Sequence, residues 1–397
     1  MMQKLYLFTI ILVFLILSSC TTHWSKAIRS GSVLNEPFIE TIKFEENLGL
    51  IIVPVEINGK KYRFLWDTGA TSSISDELQH EFQFKVVSQG HYVDTDNNRQ
   101  AIDYVKVDTL RIGDVMFIDQ VAFVENFKAN PILKCMNLDG IIGGNLMRYC
   151  NWTIDYDKDE MIMSSEVSKD IKENSLSIPF KYDNDLDLLV DIRIGRAKIS
   201  NIIIDYGSNG SVSFPKRILD FLTEKQIITE TFVETGTKNS GLIGKPVEVN
   251  REYAFTDSLF IGEKVHNDVE VRTGVHALIG KKILSRYVVT IDWDDQKLYF
   301  NDYSVDPDVN ETFGFALGVR GAEIYVQSVT ENSDAYLKGL KPEMVVKKLN
   351  ELDFTKSSTY CDYIDLINSK PKILYLQYKD ENGNLKSVTV ESQRLRR

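Results

Sequence analysis

Apolar and polar positions alternate in short runs along most of the chain, with turn residues between the runs. Leu50-Ile51-Ile52-Val53-Pro54-Val55-Glu56-Ile57 is one such run, and the Asn58-Gly59 after it is a hairpin signal. Lys61-Tyr62-Arg63-Phe64-Leu65-Trp66 predicts the return strand, which delivers Asp67-Thr68-Gly69. The layout recurs further on. Leu188-Leu189-Val190-Asp191-Ile192-Arg193-Ile194 runs into Gly195-Arg196, and Ile202-Ile203-Ile204 delivers Asp205-Tyr206-Gly207-Ser208. Later landmarks keep the same order. Leu110-Arg111-Ile112-Gly113 is matched by Leu259-Phe260-Ile261-Gly262, and Ile141-Ile142-Gly143 by Leu278-Ile279-Gly280. Arg148-Tyr149 with Thr153-Ile154-Asp155 is matched by Arg286-Tyr287 with Thr290-Ile291-Asp292. β-rich composition alone does not place one series of landmarks twice, so an internal repeat is expected, with lobes over 43–165 and 175–303 and a polar linker over 166–174.

The pattern changes after residue 303. Asp306-Pro307-Asp308 reads as a boundary, and residues 307–397 predict a small α+β unit. Its elements are a strand over 323–329, a short capped helix from Ser333, a strand over 345–350, a helix over 360–367 and two final strands. At the other end, Lys4 precedes an apolar run from Leu5 to Leu17, long enough for a signal peptide and too short to span a bilayer. Leu17-Ser18-Ser19-Cys20 resembles the bacterial lipobox, which implies a signal peptide over 1–19, lipidation of Cys20 and a polar tether over 20–42. Thr21 after the cysteine implies, by the same resemblance, the outer membrane of a diderm bacterium. An ordinary secretory signal with an incidental cysteine is the alternative.

Composition narrows the function classes. A net charge of −11 with no basic run before the last few residues argues against nucleic acid as a partner. The five histidines are scattered, and no Cys/His spacing suggests a metal site; no cofactor is expected either. Beyond Cys20 the cysteines are Cys135, Cys150 and Cys361, an odd count that leaves at least one free thiol. Cys135 and Cys150 are near enough in sequence to pair, and two buried thiols fit equally well.

The two Asp-x-Gly loops and the two apolar-apolar-Gly segments resemble the pepsin/retropepsin superfamily of aspartic proteases, over about 260 residues. The resemblance implies a mainly β fold of two duplicated barrel lobes with a cleft between them. It also implies that each apolar-apolar-Gly segment packs beside its own lobe's loop. Asp67 and Asp205 would be the catalytic pair, activating a water that attacks a peptide bond without a covalent intermediate. Two close carboxyls share a proton, because like charges about 3 Å apart cannot both ionise. Thr68, Gly69, Tyr206, Gly207 and Ser208 would support the pair. Tyr206 departs from the family's Thr or Ser, whose hydroxyl bonds across to the other lobe. That departure keeps a second reading open, a cleft that captures peptides without cutting them or a scaffold lipoprotein. Polar hairpins at 91–100 and 235–244 are candidate lids over the cleft, or plain surface hairpins.

The last segment resembles a PDZ domain, through Thr312-Phe313-Gly314-Phe315, Ser333-Asp334-Ala335 and Gly339-Leu340. By that resemblance Phe313, Gly314 and Phe315 would hold the C-terminus of a partner protein. The alternative is that the two phenylalanines simply fill the domain. The expected partners are thus a peptide or protein substrate, a protein C-terminus, and the membrane through the lipid on Cys20.

Overall fold

In the computed structural model, residues 23–34, 37–239, 241–302 and 311–395 are described. The fold is mainly β. The strands Leu50–Ile57 and Lys60–Trp66 form the expected hairpin, with Asn58 and Gly59 both at positive φ (50° and 79°), as a tight turn between right-twisted strands requires. They belong to a nine-stranded sheet. In the second half, Leu188–Ile194 and Ala197–Ile204 pair in the same way. The order of pairing also repeats. Gly140–Ile142 lies parallel to Lys60–Trp66 and antiparallel to Ser73–Ser75. Leu278–Ile279 lies parallel to Ala197–Ile204 and antiparallel to Val212–Phe214.

The halves share a six-stranded sheet, joined where Asn151–Asp155 pairs with Tyr287–Asp292. At this seam Thr153 Oγ1 and Thr290 Oγ1 lie 2.8 Å apart, and Trp152 is fully buried. One apolar cluster runs from Val53 and Trp66 through Trp152 to Ile204 and Ile279, so the core passes uninterrupted from one half to the other. Burial of this kind, at about 25 cal/mol per Å² of apolar surface, holds the halves in one orientation.

The segment 311–395 has its own core around Val326, Val346, Leu376 and Val390. It is not a separate bead. Its strand Glu323–Thr330 pairs antiparallel with Phe232–Lys238 of the second half, so one sixteen-stranded sheet runs through both. A disulfide joins Cys135, in the helix Pro131–Met136, to Cys361, in the helix Tyr360–Asn368. Among the described residues Cys150 is free and buried. Proximity in sequence thus misdirects the pairing: Cys150 sits in the shared core, whereas Cys135 faces the C-terminal helix across a gap of 226 positions.

A tether over 20–42 also needs correcting for its described part. Trp24–Ala27 is a helical turn, Ser32–Val33 pairs with Val115–Glu125, and Ile39–Lys43 pairs with Glu160–Ser164. Ala27, Ile28 and Ile42 are buried, and those apolar positions bind the otherwise polar stretch to the first half. The expected linker contains the helix Lys169–Asn174, capped by Ser168. Cys20 and the boundary at Asp306-Pro307-Asp308 lie outside the described residues. Among the described residues no helix is long and apolar enough to cross a membrane.

The cross-link closes a very long loop, and such a loop restricts the unfolded chain most. Cys361→Ser is expected to lower the unfolding free energy by about 2–4 kcal/mol, measured by urea denaturation under oxidising conditions. Adding reductant to the native protein should give the same loss and should leave the variant unchanged.

Candidate active site

Both Asp-x-Gly loops are held by their own half before they meet. Asp67 N–H donates to the Ile142 carbonyl at 3.0 Å, and Asp205 N–H to the Ile279 carbonyl at 2.9 Å. Gly143 N–H donates to Ser72 Oγ at 2.9 Å, and Ser72 N–H to Asn145 Oδ1 at 2.7 Å. On the other side, Gly280 N–H donates to the Ser211 carbonyl and Lys281 N–H to the Ser208 carbonyl, each at 2.7 Å. The apolar-apolar-Gly segments therefore pack beside their own loops.

The loops then cross. A Cβ on Gly207 would stand 2.1 Å from Asp67 Oδ2, and a Cβ on Gly69 would stand 2.8 Å from Asp205 Cγ. Each carboxyl thus occupies the space left by the other loop's missing side chain. Gly69 N–H donates to Asp67 Oδ1 at 2.8 Å, and the Gly207 amide contributes to both carboxyls. The two carboxyls hydrogen-bond to each other. Removal from water pushes both above the usual carboxylate range. The charges of Asp67 and Asp187 add to the rise at Asp205, and the two carboxyls titrate as a pair.

A model of the family described as Aspartyl protease matches residues 53–146. The match takes in the first loop and Ile141-Ile142-Gly143, and it supports an aspartyl protease-like domain with a protease-type function. No curated protein matches the chain. The second loop lies outside the match, and its place rests on the crossed geometry.

Thr68 ties the aspartyl protease-like half to the other. Its Oγ1 donates to the Ile204 carbonyl at 2.6 Å and accepts from Tyr206 N–H at 3.1 Å. Tyr206 has no hydroxyl at Cβ with which to return this grip. Its ring turns inward and is fully buried, edge-on to Trp66 at 5.0 Å and stacked with Tyr156 at 6.4 Å. This aromatic contact joins the second loop to the first half. Ser208 lies at the cavity wall.

Two further residues interact electrostatically with the pair and a third lines the cavity; none is marked by a motif in the sequence. Asp187 stands just before Leu188–Ile194, the strand paired with the one that carries Asp205. Burial, with the charges of Asp183, Asp185 and Asp67, pushes its carboxyl up to about 8. Tyr92 lines the cavity from the first hairpin, stacked on Phe123 at 5.0 Å. Burial, and next the Asp67 charge, raise its hydroxyl well above the ordinary value. Asn130 caps the helix Pro131–Met136 and donates to the Gly241 carbonyl at 2.8 Å. The signals were present but local. Asp187 follows an acidic turn, and Asn130 precedes a proline at a helix start.

The two candidate lids meet over the cavity. Asp94 folds the tip of the first hairpin, accepting from Asp96 N–H at 3.0 Å and Asn98 N–H at 2.9 Å. Its other oxygen accepts from Ile243 N–H at 3.1 Å, in the second hairpin. Asp96 accepts from Gly241 N–H at 2.8 Å and pairs with Lys238 at 2.6 Å. A Cβ on Gly241 would stand 2.1 Å from Asp94 Oδ2, so only glycine permits this approach. The cavity beneath is about 270 Å³, below the roughly 300–1,000 Å³ of most ligand clefts.

The second hairpin is also held from outside. Glu234 accepts from Ser328 Oγ at 2.5 Å and Tyr253 Oη at 2.9 Å, and Arg251 lies 3.2 Å away. In the C-terminal segment, Gly314 N–H donates to Thr312 Oγ1 at 3.0 Å, and Phe313 and Phe315 pack on that segment's core. Leu317 N–H donates to Tyr363 Oη at 3.3 Å, and its carbonyl accepts from Tyr360 Oη at 3.1 Å. The strand edge that would receive a peptide is capped at Leu317 by these two hydroxyls.

Two measurements follow from this site. A carboxyl raised in the native state keeps a proton that the unfolded chain gives up above about pH 4, so its contribution to stability is lost as pH rises. Urea midpoints of Asp205→Asn and wild type should therefore diverge in favour of the variant from pH 4 to 8, whereas parallel profiles would contradict a buried pair. Asp94→Ala should speed amide exchange at Gly241 and Ile243 by about tenfold or more, with little change in the shared six-stranded sheet.

Proposed function

We propose that the chain is an aspartic endopeptidase in which Asp67 and Asp205 activate water against a peptide bond laid between the two halves. The crossed carboxyls, each seated against the other loop's glycine, are the observation that carries this reading. Asp205 holds the shared proton and donates a hydrogen bond to the scissile carbonyl oxygen. Asp67 takes a proton from the water as the water oxygen bonds to the carbonyl carbon. The resulting tetrahedral species collapses when Asp67 passes that proton to the amide nitrogen, the C–N bond breaks, and the amine and the acid leave with the pair restored. No covalent link to the protein forms, and no metal or cofactor is required.

The substrate is an extended peptide or protein segment, admitted when the hairpins part. Tyr206 does not argue for the rival reading, a cleft that only captures peptides, because its ring supports the halves from the interior while Thr68 keeps its own bridge. The C-terminal segment is read as PDZ-like in its order of elements. With the Leu317 edge capped, its first role is to hold the second hairpin; binding a partner's C-terminus there would require the tyrosines to withdraw. The lipobox-like Leu17-Ser18-Ser19-Cys20 supports a lipid on Cys20 and an extracytoplasmic position at the outer membrane of a diderm bacterium.

Asp67→Asn and Asp205→Asn are each expected to lower cleavage of a denatured protein or peptide mixture by about 10²–10⁴-fold or more while leaving the fold intact. Wild-type activity should follow a bell in pH and respond to pepstatin-type inhibitors. Cleavage that survives either substitution would sink the paired-carboxyl mechanism.

A further inference from the structure

The cavity is asymmetric in chemistry. Leu50, Leu65, Ile132, Leu133 and Met136 make its wall on the side of the first half. Three cationic side chains, Lys238, Arg251 and Arg272, line it on the side of the second. Two of the three are already neutralised, since Lys238 pairs with Asp96 at 2.6 Å and Arg251 with Glu234 at 3.2 Å. Arg272 is different. Among the described residues it makes no hydrogen bond and no ion pair.

Arg272 is also firmly placed. It stands on the strand Val269–Thr273, opposite Ser213 on one side and Tyr253 on the other. Its guanidinium lies against the second Asp-x-Gly loop, where a Cβ on Gly210 would stand 2.6 Å from Nη2. The glycine therefore leaves the room that the guanidinium fills. A partly buried guanidinium has lost some of its water, and a carboxylate replaces that water best, through two parallel N–H···O bonds. A chain of net charge −11 offers many acidic neighbours, yet none is paired here.

We propose that Arg272 is a specificity-determining residue that receives a substrate carboxylate on the second half's side of the scissile bond. The preferred peptide then carries an acidic residue there and an apolar residue against the wall of the first half. This deepens the peptidase reading and rests on it. The carboxylate has two sources, an Asp or Glu side chain or the free C-terminus of a short peptide, and blocked ends separate them.

The test uses the full chain and a peptide set with Glu, Gln or Lys at each position around the cut, each with amidated and with free C-termini. Wild type should cleave the Glu peptide with a kcat/KM about tenfold or more above its Gln counterpart at one position. Arg272→Gln should bring that ratio towards one, and Arg272→Glu should favour Lys over Glu at the same position. If the free C-terminus, not Glu, gives the Arg272-dependent gain, the terminal carboxylate is the ligand. Binding of the same peptides to Asp205→Asn, read by fluorescence anisotropy, keeps the two readings apart. Arg272-dependent binding without cleavage by wild type overturns the peptidase reading alone. Cleavage whose Glu-to-Gln ratio ignores both Arg272 substitutions overturns the present proposal alone, and neither binding nor cleavage overturns both.

Discussion

Two acidic side chains packed into each other's backbone space are the constraint around which this molecule is arranged. Asp67 fits because position 207 has no side chain, and Asp205 fits because position 69 has none. Bringing two carboxyls together away from water is unfavourable unless they share a proton and accept backbone N–H groups. The flanking framework supplies the rigidity that keeps them there. Each loop hangs from a parallel strand of its own half, through Ile142 and Ile279, and the shared six-stranded sheet prevents the halves from relaxing apart.

Seen from this constraint, Tyr206 is a change of means. A hydroxyl bridge and an aromatic contact both lock one loop to the other half, but they do so at different depths. Thr68 works at the backbone of the loops, while the Tyr206 ring reaches below them to Trp66 and Tyr156. The ring also fills volume between the halves that a threonine would leave empty, and an unfilled space in a close-packed interior is costly.

Much of the β architecture and the pairing of the two loops was legible in the sequence, because alternation and repetition are local signals. Asn58-Gly59 announced its turn, and Ile141-Ile142-Gly143 with Leu278-Ile279-Gly280 announced the strands that carry the loops. Contacts made at long range and set by shape were not legible. The Cys135–Cys361 cross-link depends on how the helix Tyr360–Asn368 lies against the helix Pro131–Met136, and nothing in the spacing encodes that. Polar residues dominate the stretch 20–42 and suggest a tether, yet in its described part a few apolar ones, Ile28 and Ile42 among them, decide the outcome. Asp187 escaped notice because its importance comes from the adjacent strand.

The sheet that passes from Phe232–Lys238 into Glu323–Thr330 has a bearing on how this chain could be shortened. A cut made after the second half would not release a self-sufficient pair of lobes. It would bare the edge of the second hairpin over Glu234, Thr235 and Gly236, leaving N–H and C=O groups unpaired and Glu234 deprived of Ser328. A naked strand edge of this kind invites pairing with another copy, so the shortened chain would be prone to self-association.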